Sequence, residues 1–101
     1  MFKAIILLTR PEGTTREEFR RWWLEEHAPL ARDLPGLRRL VFNVVDEPEA
    51  GVDGVSELWF DSREAFDAAY ASDHGRAVAA DSLAHVGRRE RLFVDERPQV
   101  G

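Results

Sequence analysis

The chain has 101 residues, enough for one domain (1–101) with a small core, and is 44% hydrophobic and 33% charged, a composition that excludes a disordered protein. Its formal net charge is −5, with acids and bases interspersed, which argues against the basic face that nucleic-acid binding needs. It contains no cysteine, which excludes disulfides, thiolate nucleophiles and thiolate metal sites, and the cytoplasm is the expected compartment.

Phe2 to Thr9 reads as a strand, ended by the turn Arg10-Pro11-Glu12-Gly13. Its core Ala4-Ile5-Ile6-Leu7-Leu8 is too short to span a bilayer, so no membrane partner is expected. Thr15 with Glu18 forms a capping box for a helix from about Arg16 to Arg32. Pro29 lies inside that span, cannot donate to the Glu25 carbonyl and predicts a kink or break beside His27. Leu37 to Val45 and Val52 to Phe60 read as a hairpin across an acidic, Pro- and Gly-containing turn. Asp61 or Ser62 caps a second helix whose apolar face is Phe66, Ala69 and Tyr70. Ser72-Asp73 breaks it and starts another segment, from about His74 to Leu83, with Ala77, Val78 and Ala80 expected inward. Arg91 to Glu96 is the last strand.

The order β-α-β-β-α-β is that of an α+β, ferredoxin-like sandwich: a four-stranded antiparallel sheet with helices on one face. The first strand is apolar on both sides, Ile5 and Leu7 on one and Ala4, Ile6 and Leu8 on the other. The hairpin's first strand likewise sets Val41 and Val45 against Leu40, Phe42 and Val44. A solvated sheet face alternates more cleanly, so the expected partner is a second copy, sheet against sheet.

His27 is the leading candidate for chemistry. Helical spacing puts Phe19, Trp22, Trp23, Glu26, His27, Leu30 and Leu34 on one stripe, so an imidazole that titrates near neutral pH sits in an aromatic face. The same spacing also fits a core histidine bonded to backbone. Trp23 serves as core, as pocket wall, or as both. Glu57 and Trp59 share one face of the third strand: a polar partner and an aromatic wall for a ligand, or an arginine-paired acid and a core ring. Asn43 is polar in an apolar strand and needs partners, a ligand or a structural hydrogen bond. His85, between Ala84 and Val86, reads as a second imidazole for the pocket or as a surface residue; His74 reads as exposed. Three scattered histidines give no metal-site spacing, and no phosphate loop or nucleophile elbow is present, so neither a metal nor a cofactor is expected.

Glu-Gly-Thr-Thr-Arg-Glu-Glu-Phe-Arg-Arg-Trp-Trp (12–23), Glu-Glu-His-Ala-Pro-Leu (25–30), Leu-Pro-Gly-Leu-Arg-Arg (34–39), Asp53 to Asp61 and Phe93 to Glu96 resemble the EthD-type domain over nearly the whole chain. The resemblance implies a dimeric α+β barrel of ferredoxin-like subunits. It also implies a small, usually cofactor-free protein of metabolism acting on lactones, aromatic polyketides or quinols. The family's motif histidine maps onto His27, an acid or base in a pocket between helices and sheet. Many relatives carry an aromatic residue, often tyrosine, where this chain has Leu40. Two function classes follow. One is a cofactor-independent isomerase, cyclase, decarboxylase or dehydratase using His27 on an apolar or aromatic metabolite, with Trp23, Asn43, Glu57, Trp59 and His85 as its binding residues. The other is a non-catalytic binding or accessory module of the same fold, with a cofactor-free or haem-using oxygenase as a further alternative.

Overall fold

The first strand alternates bulky apolar residues, and in the computed structural model, which covers Met1–Gly101, it lies at the centre of the sheet. β1 (Phe2–Thr9) pairs antiparallel with β3 (Gly54–Phe60) on one side and β4 (Arg88–Val94) on the other. β2 (Arg39–Val44) completes the order β2-β3-β1-β4 as the hairpin partner of β3. This is the ferredoxin-like arrangement. The last strand begins earlier than the sequence suggested, at Arg88, because Arg88, Arg89 and Glu90 pair with Thr9, Leu8 and Leu7 despite their charge.

Register fixes which side of each strand faces the helices. Ala4 lies opposite Leu58 and Phe93, Ile6 opposite Ser56 and Arg91, and Leu8 opposite Gly54 and Arg89. Leu40, Phe42 and Val44 continue these rows on β2. Ala4, Ile6, Leu8, Leu58 and Phe60 are accordingly buried beneath the helices. The opposite face carries Lys3, Ile5, Leu7, Val41, Asn43, Val55, Glu57, Trp59 and Leu92. Leu92 is 48% exposed there, and this is the apolar second face seen in the alternation.

The helical layer starts where its caps predict. Thr15 Oγ1 accepts from Glu18 N at 3.1 Å and Glu18 Oε1 accepts from Thr15 N at 2.9 Å, closing the capping box. The helix is α-helical only over Arg16–Arg21 (α1). It then widens into a π-helical turn, Trp22–His27, and resumes as Ala28–Ala31 (α2). The expected irregularity is thus a widened turn that ends at His27, two residues before Pro29 of α2. Within it the Ala28 amide donates to the Trp23 carbonyl five residues back. Wider turns bring Trp22, Trp23 and His27 inward together and rotate Glu26 to solvent, so Glu26 leaves the stripe that regular helical spacing gave it.

Ser62 caps α3 (Arg63–Ala71) and Ser72 caps α4 (Asp73–His85), each hydroxyl accepting a backbone N–H. Phe66 and Ala69 of α3 are buried and Tyr70 is half-buried. The inward stripe of α4 is Gly75, Val78 and Ser82; Ala77 and Ala80 face solvent, contrary to expectation, because they sit one or two residues off that stripe. Gly75 is required here: a Cβ would lie 1.9 Å from the Ala69 carbonyl oxygen. His74 is half-buried rather than exposed, its Nε2–H donating to the Leu30 carbonyl at 2.7 Å and tying α4 to α2.

Candidate functional site

Trp23 is the fixed point of the site. It is fully buried, with its ring stacked on Phe42 at 4.3 Å and 5°. It also lies flat against Gly54, where a Cβ would come within 2.6 Å of the indole. A glycine in the central hairpin strand is the condition for this packing. Trp22, its neighbour, turns toward α4 and packs between His27 (4.9 Å) and His85 (4.7 Å).

His27 is buried beside them, and its Nδ1–H donates to Asp81 Oδ2 at 2.8 Å. The same oxygen accepts from Trp22 Nε1 at 3.2 Å. A carboxylate only accepts hydrogen bonds, so this contact assigns the neutral ring's proton to Nδ1 and leaves the Nε2 lone pair free. Burial pushes the His27 pKa below its ordinary 6.5, more strongly than the Asp81 carboxylate raises it. The charges of Arg89 and His85 lower it further. At neutral pH the ring is therefore an uncharged base, oriented by an aspartate.

His27 borders a crevice between the helical layer and the sheet. Its polar lining includes Ser56, Tyr70, Ser82 and Arg89, with Trp23 as an aromatic wall. Its volume is about 20 Å³, room for about one water molecule. Burial raises the Tyr70 pKa, so its hydroxyl keeps its proton. No group of three or more His, Asp or Glu side chains is arranged to hold a metal ion.

The sheet divides the residues that the sequence grouped with His27. Trp23 does line the crevice. Asn43, Glu57 and Trp59 lie on the far side, because their strand parity opposes that of Phe42, Ser56 and Leu58. They form a separate network: Asn43 Nδ2 donates to Glu57 Oε2 at 3.0 Å, and Glu57 Oε1 pairs with Lys3 Nζ at 2.8 Å. Trp59 Nε1 donates to Glu96 Oε1 at 3.2 Å, beneath the Lys3 and Arg39 cations. Lys3 holds the Glu57 pKa below the usual carboxylate range, with help from Asn43. The acid is thus paired, but with a lysine where an arginine was expected. His85 stands outside the crevice as well: its Nδ1–H donates to the Asp81 carbonyl at 2.8 Å, and the side chain is 44% exposed.

Asp81, Tyr70 and Arg89 are the site residues that sequence reasoning missed. Asp81 carried one signal, a lone acid directly after the alanine-rich run 77–80, next to the inward Ser82 and four residues before His85.

No helix is long and apolar enough to cross a membrane, and no curated protein sequence matches the chain. Solved structures do. An EthD family protein of Bacillus halodurans C-125 is 28% identical, with a TM-score of 0.85, covering 96% of this chain and 99% of that one. A dimeric ferredoxin-like protein from Thermobifida fusca is 18% identical, with a TM-score of 0.75 and coverage of 92% and 88%. SnoaB of Streptomyces nogalater, a cofactor-independent oxygenase, is 19% identical, with a TM-score of 0.70 and coverage of 98% and 95%. The EthD domain model matches residues 11–86, a span that contains both His27 and Asp81, and the chain belongs to the EthD domain family.

Proposed function

We propose that this protein is a small enzyme that works on an aromatic, lactone or polyketide-like metabolite without a bound cofactor, with His27 as its acid and base. The observation that carries the reading is the aspartate-oriented, uncharged imidazole at a crevice of mixed apolar and polar lining. Nε2 takes a proton from a carbon beside a carbonyl and returns it elsewhere, as an isomerase, cyclase or dehydratase requires; in a decarboxylase the carbon–carbon bond breaks to release carbon dioxide, and His27 only delivers a proton to the carbon left behind. Such help contributes about 10²–10⁴-fold. Trp23 borders the crevice with an indole already packed on Phe42 and Gly54, which fixes its position beside a ligand. SnoaB supports the reading at the level of fold, since a protein of this architecture does chemistry without a cofactor.

The enzyme works as a homodimer joined through the open sheet face. The half-exposed Ile5, Leu7, Val41 and Val55 and the exposed Leu92 on that face support this arrangement, as does the dimeric state given for the Thermobifida fusca protein. On this reading the Lys3–Glu57–Asn43 network belongs to the interface and not to the pocket.

The narrowness of the crevice favours a second reading. A space of about 20 Å³ holds one small polar group and not a whole ring, so a module that only grips the polar end of a metabolite, without catalysis, fits it as it stands. The test is a thermal-shift screen of wild type and His27→Ala against phenolic acids, quinols, lactones and short polyketide mimics. A ligand at one hundred times its Kd stabilises by about 2.7 kcal/mol. A compound that shifts wild type, loses its shift in His27→Ala and is turned over by wild type supports the enzyme. Binding without turnover supports the second reading, and a library without a single shift contradicts both.

A further inference from the structure

The crevice beneath α4 contains two donors that acid–base chemistry at His27 leaves unused. Trp23 Nε1 and Arg89 Nε are both buried, and neither N–H meets a protein acceptor. They approach from opposite layers. Trp23 descends from the π-helical turn, and Arg89 rises from β4 opposite Leu8, on the helix side of the sheet. Both residues line the same crevice as His27.

The Trp23 donor is not free to turn away. The Trp23 ring is held between Phe42 and Gly54. Arg89 is a half-buried guanidinium, and the charged or titratable groups that act on it are Tyr70 and Arg91, neither of them a carboxylate. A buried unpaired donor is unfavourable, and more so on a half-buried cation with no carboxylate acting on it. Two such donors, on two residues that line one space wide enough for an oxygen atom, suit a negatively charged oxygen as its occupant.

We propose that Trp23 and Arg89 form an oxyanion-binding site whose ligand is a carbonyl compound that ionises to an enolate or phenolate beside His27. This rests on the acid–base reading of His27 given above and names the substrate class it serves. His27 Nε2 accepts the proton from the carbon next to the carbonyl. The C–H electron pair becomes the carbon–carbon double bond, and the carbonyl π pair moves onto oxygen. That oxygen accepts hydrogen bonds from Trp23 Nε1–H and the Arg89 guanidinium. The proton returns from His27 to another carbon or to the oxygen, so the product is an isomer and no oxidant is consumed. Removing one such donor from an oxyanion site typically costs about 10²–10³-fold in rate.

The probe is 4-nitrophenol, whose visible absorption separates phenol from phenolate and which ionises without any C–H bond breaking. Bound to wild type, the dye is expected to ionise at a lower pH than free dye. Arg89→Gln should lose at least about tenfold of the preference for phenolate, and Trp23→Phe a smaller part, with circular dichroism confirming that each variant folds. Arg89→Met, which keeps the aliphatic stem, replaces Arg89→Gln if the latter does not fold. Wild type that binds no phenolate, or an Arg89 variant with unchanged preference, overturns the proposal. Wild type that shows no preference for phenolate beside intact His27-dependent turnover sinks this site alone. Intact preference without turnover of any carbonyl substrate sinks the acid–base reading alone.

Discussion

Replacing Asp81 by asparagine separates orientation of His27 from its burial. In the wild type one carboxylate oxygen accepts from His27 Nδ1 at 2.8 Å and from Trp22 Nε1 at 3.2 Å, with the Asp81 side chain 22% exposed. Hydrogen bonds to a charged group contribute about 1.5–3 kcal/mol each and neutral ones about 0.5–1.5 kcal/mol. Exchanging two charge-assisted bonds for neutral ones, partly screened by solvent, therefore costs about 1–3 kcal/mol. A domain of this size loses about 4–8 °C of Tm per kcal/mol. The sign of the pH effect is fixed too. Burial lowers the His27 pKa and Asp81 raises it, so Asp81→Asn moves it further below 6.5. Above pH 6.5 the ring is neutral both folded and unfolded, and stability does not depend on it. As pH falls below 6.5, the unfolded chain takes up the proton first and stability is lost until the folded pKa is passed. In Asp81→Asn that loss extends to lower pH. Thermal unfolding of both proteins from pH 8 to pH 4.5 measures it. A variant with wild-type stability at pH 7 and an unchanged acid profile refutes the reasoning.

Other outcomes follow from packing and caps. Gly54→Ala places a Cβ 2.6 Å from the Trp23 ring and should destabilise by about 1–3 kcal/mol in urea unfolding. Gly75→Ala should cost more, because its Cβ meets the Ala69 backbone oxygen, which has no rotamer to yield. Thr15→Ala removes the hydroxyl half of the capping box and should cost about 1 kcal/mol by the same assay. Ile5→Glu puts a charge in the middle of the open sheet face; in sedimentation velocity at micromolar concentration the wild type should run as a dimer and this variant as a monomer.

The fold was legible because each element announced itself locally. Thr15 with Glu18, Ser62 and Ser72 marked helix starts, and the apolar strands on either side of Asp46–Gly51 marked a hairpin. The irregular turn at His27 was legible from Pro29, though its π-helical form was not, since spacing rules assume regular turns. The site was only half legible. Strand alternation shows that Asn43, Glu57 and Trp59 differ in parity from Phe42, Ser56 and Leu58. When both faces are apolar, it does not show which one the helices cover. Asp81 meets His27 across 54 positions of sequence, a contact made by the docking of α4 on the π-helical turn, with no local pattern behind it. Arg89 looked like one more charge in the run 88–91, and only the register opposite Leu8 turns it inward.

The central claim is that His27 is an uncharged base with its proton on Nδ1 and Nε2 free. Nitrogen-15 NMR of the imidazole across a pH titration reads both properties in one experiment. The expected result is a midpoint below 6.5, with the proton of the neutral ring on Nδ1 and an unprotonated Nε2 signal at pH 7. A midpoint at or above 6.5, or a neutral ring protonated on Nε2, would contradict the claim and leave His27 a structural core residue.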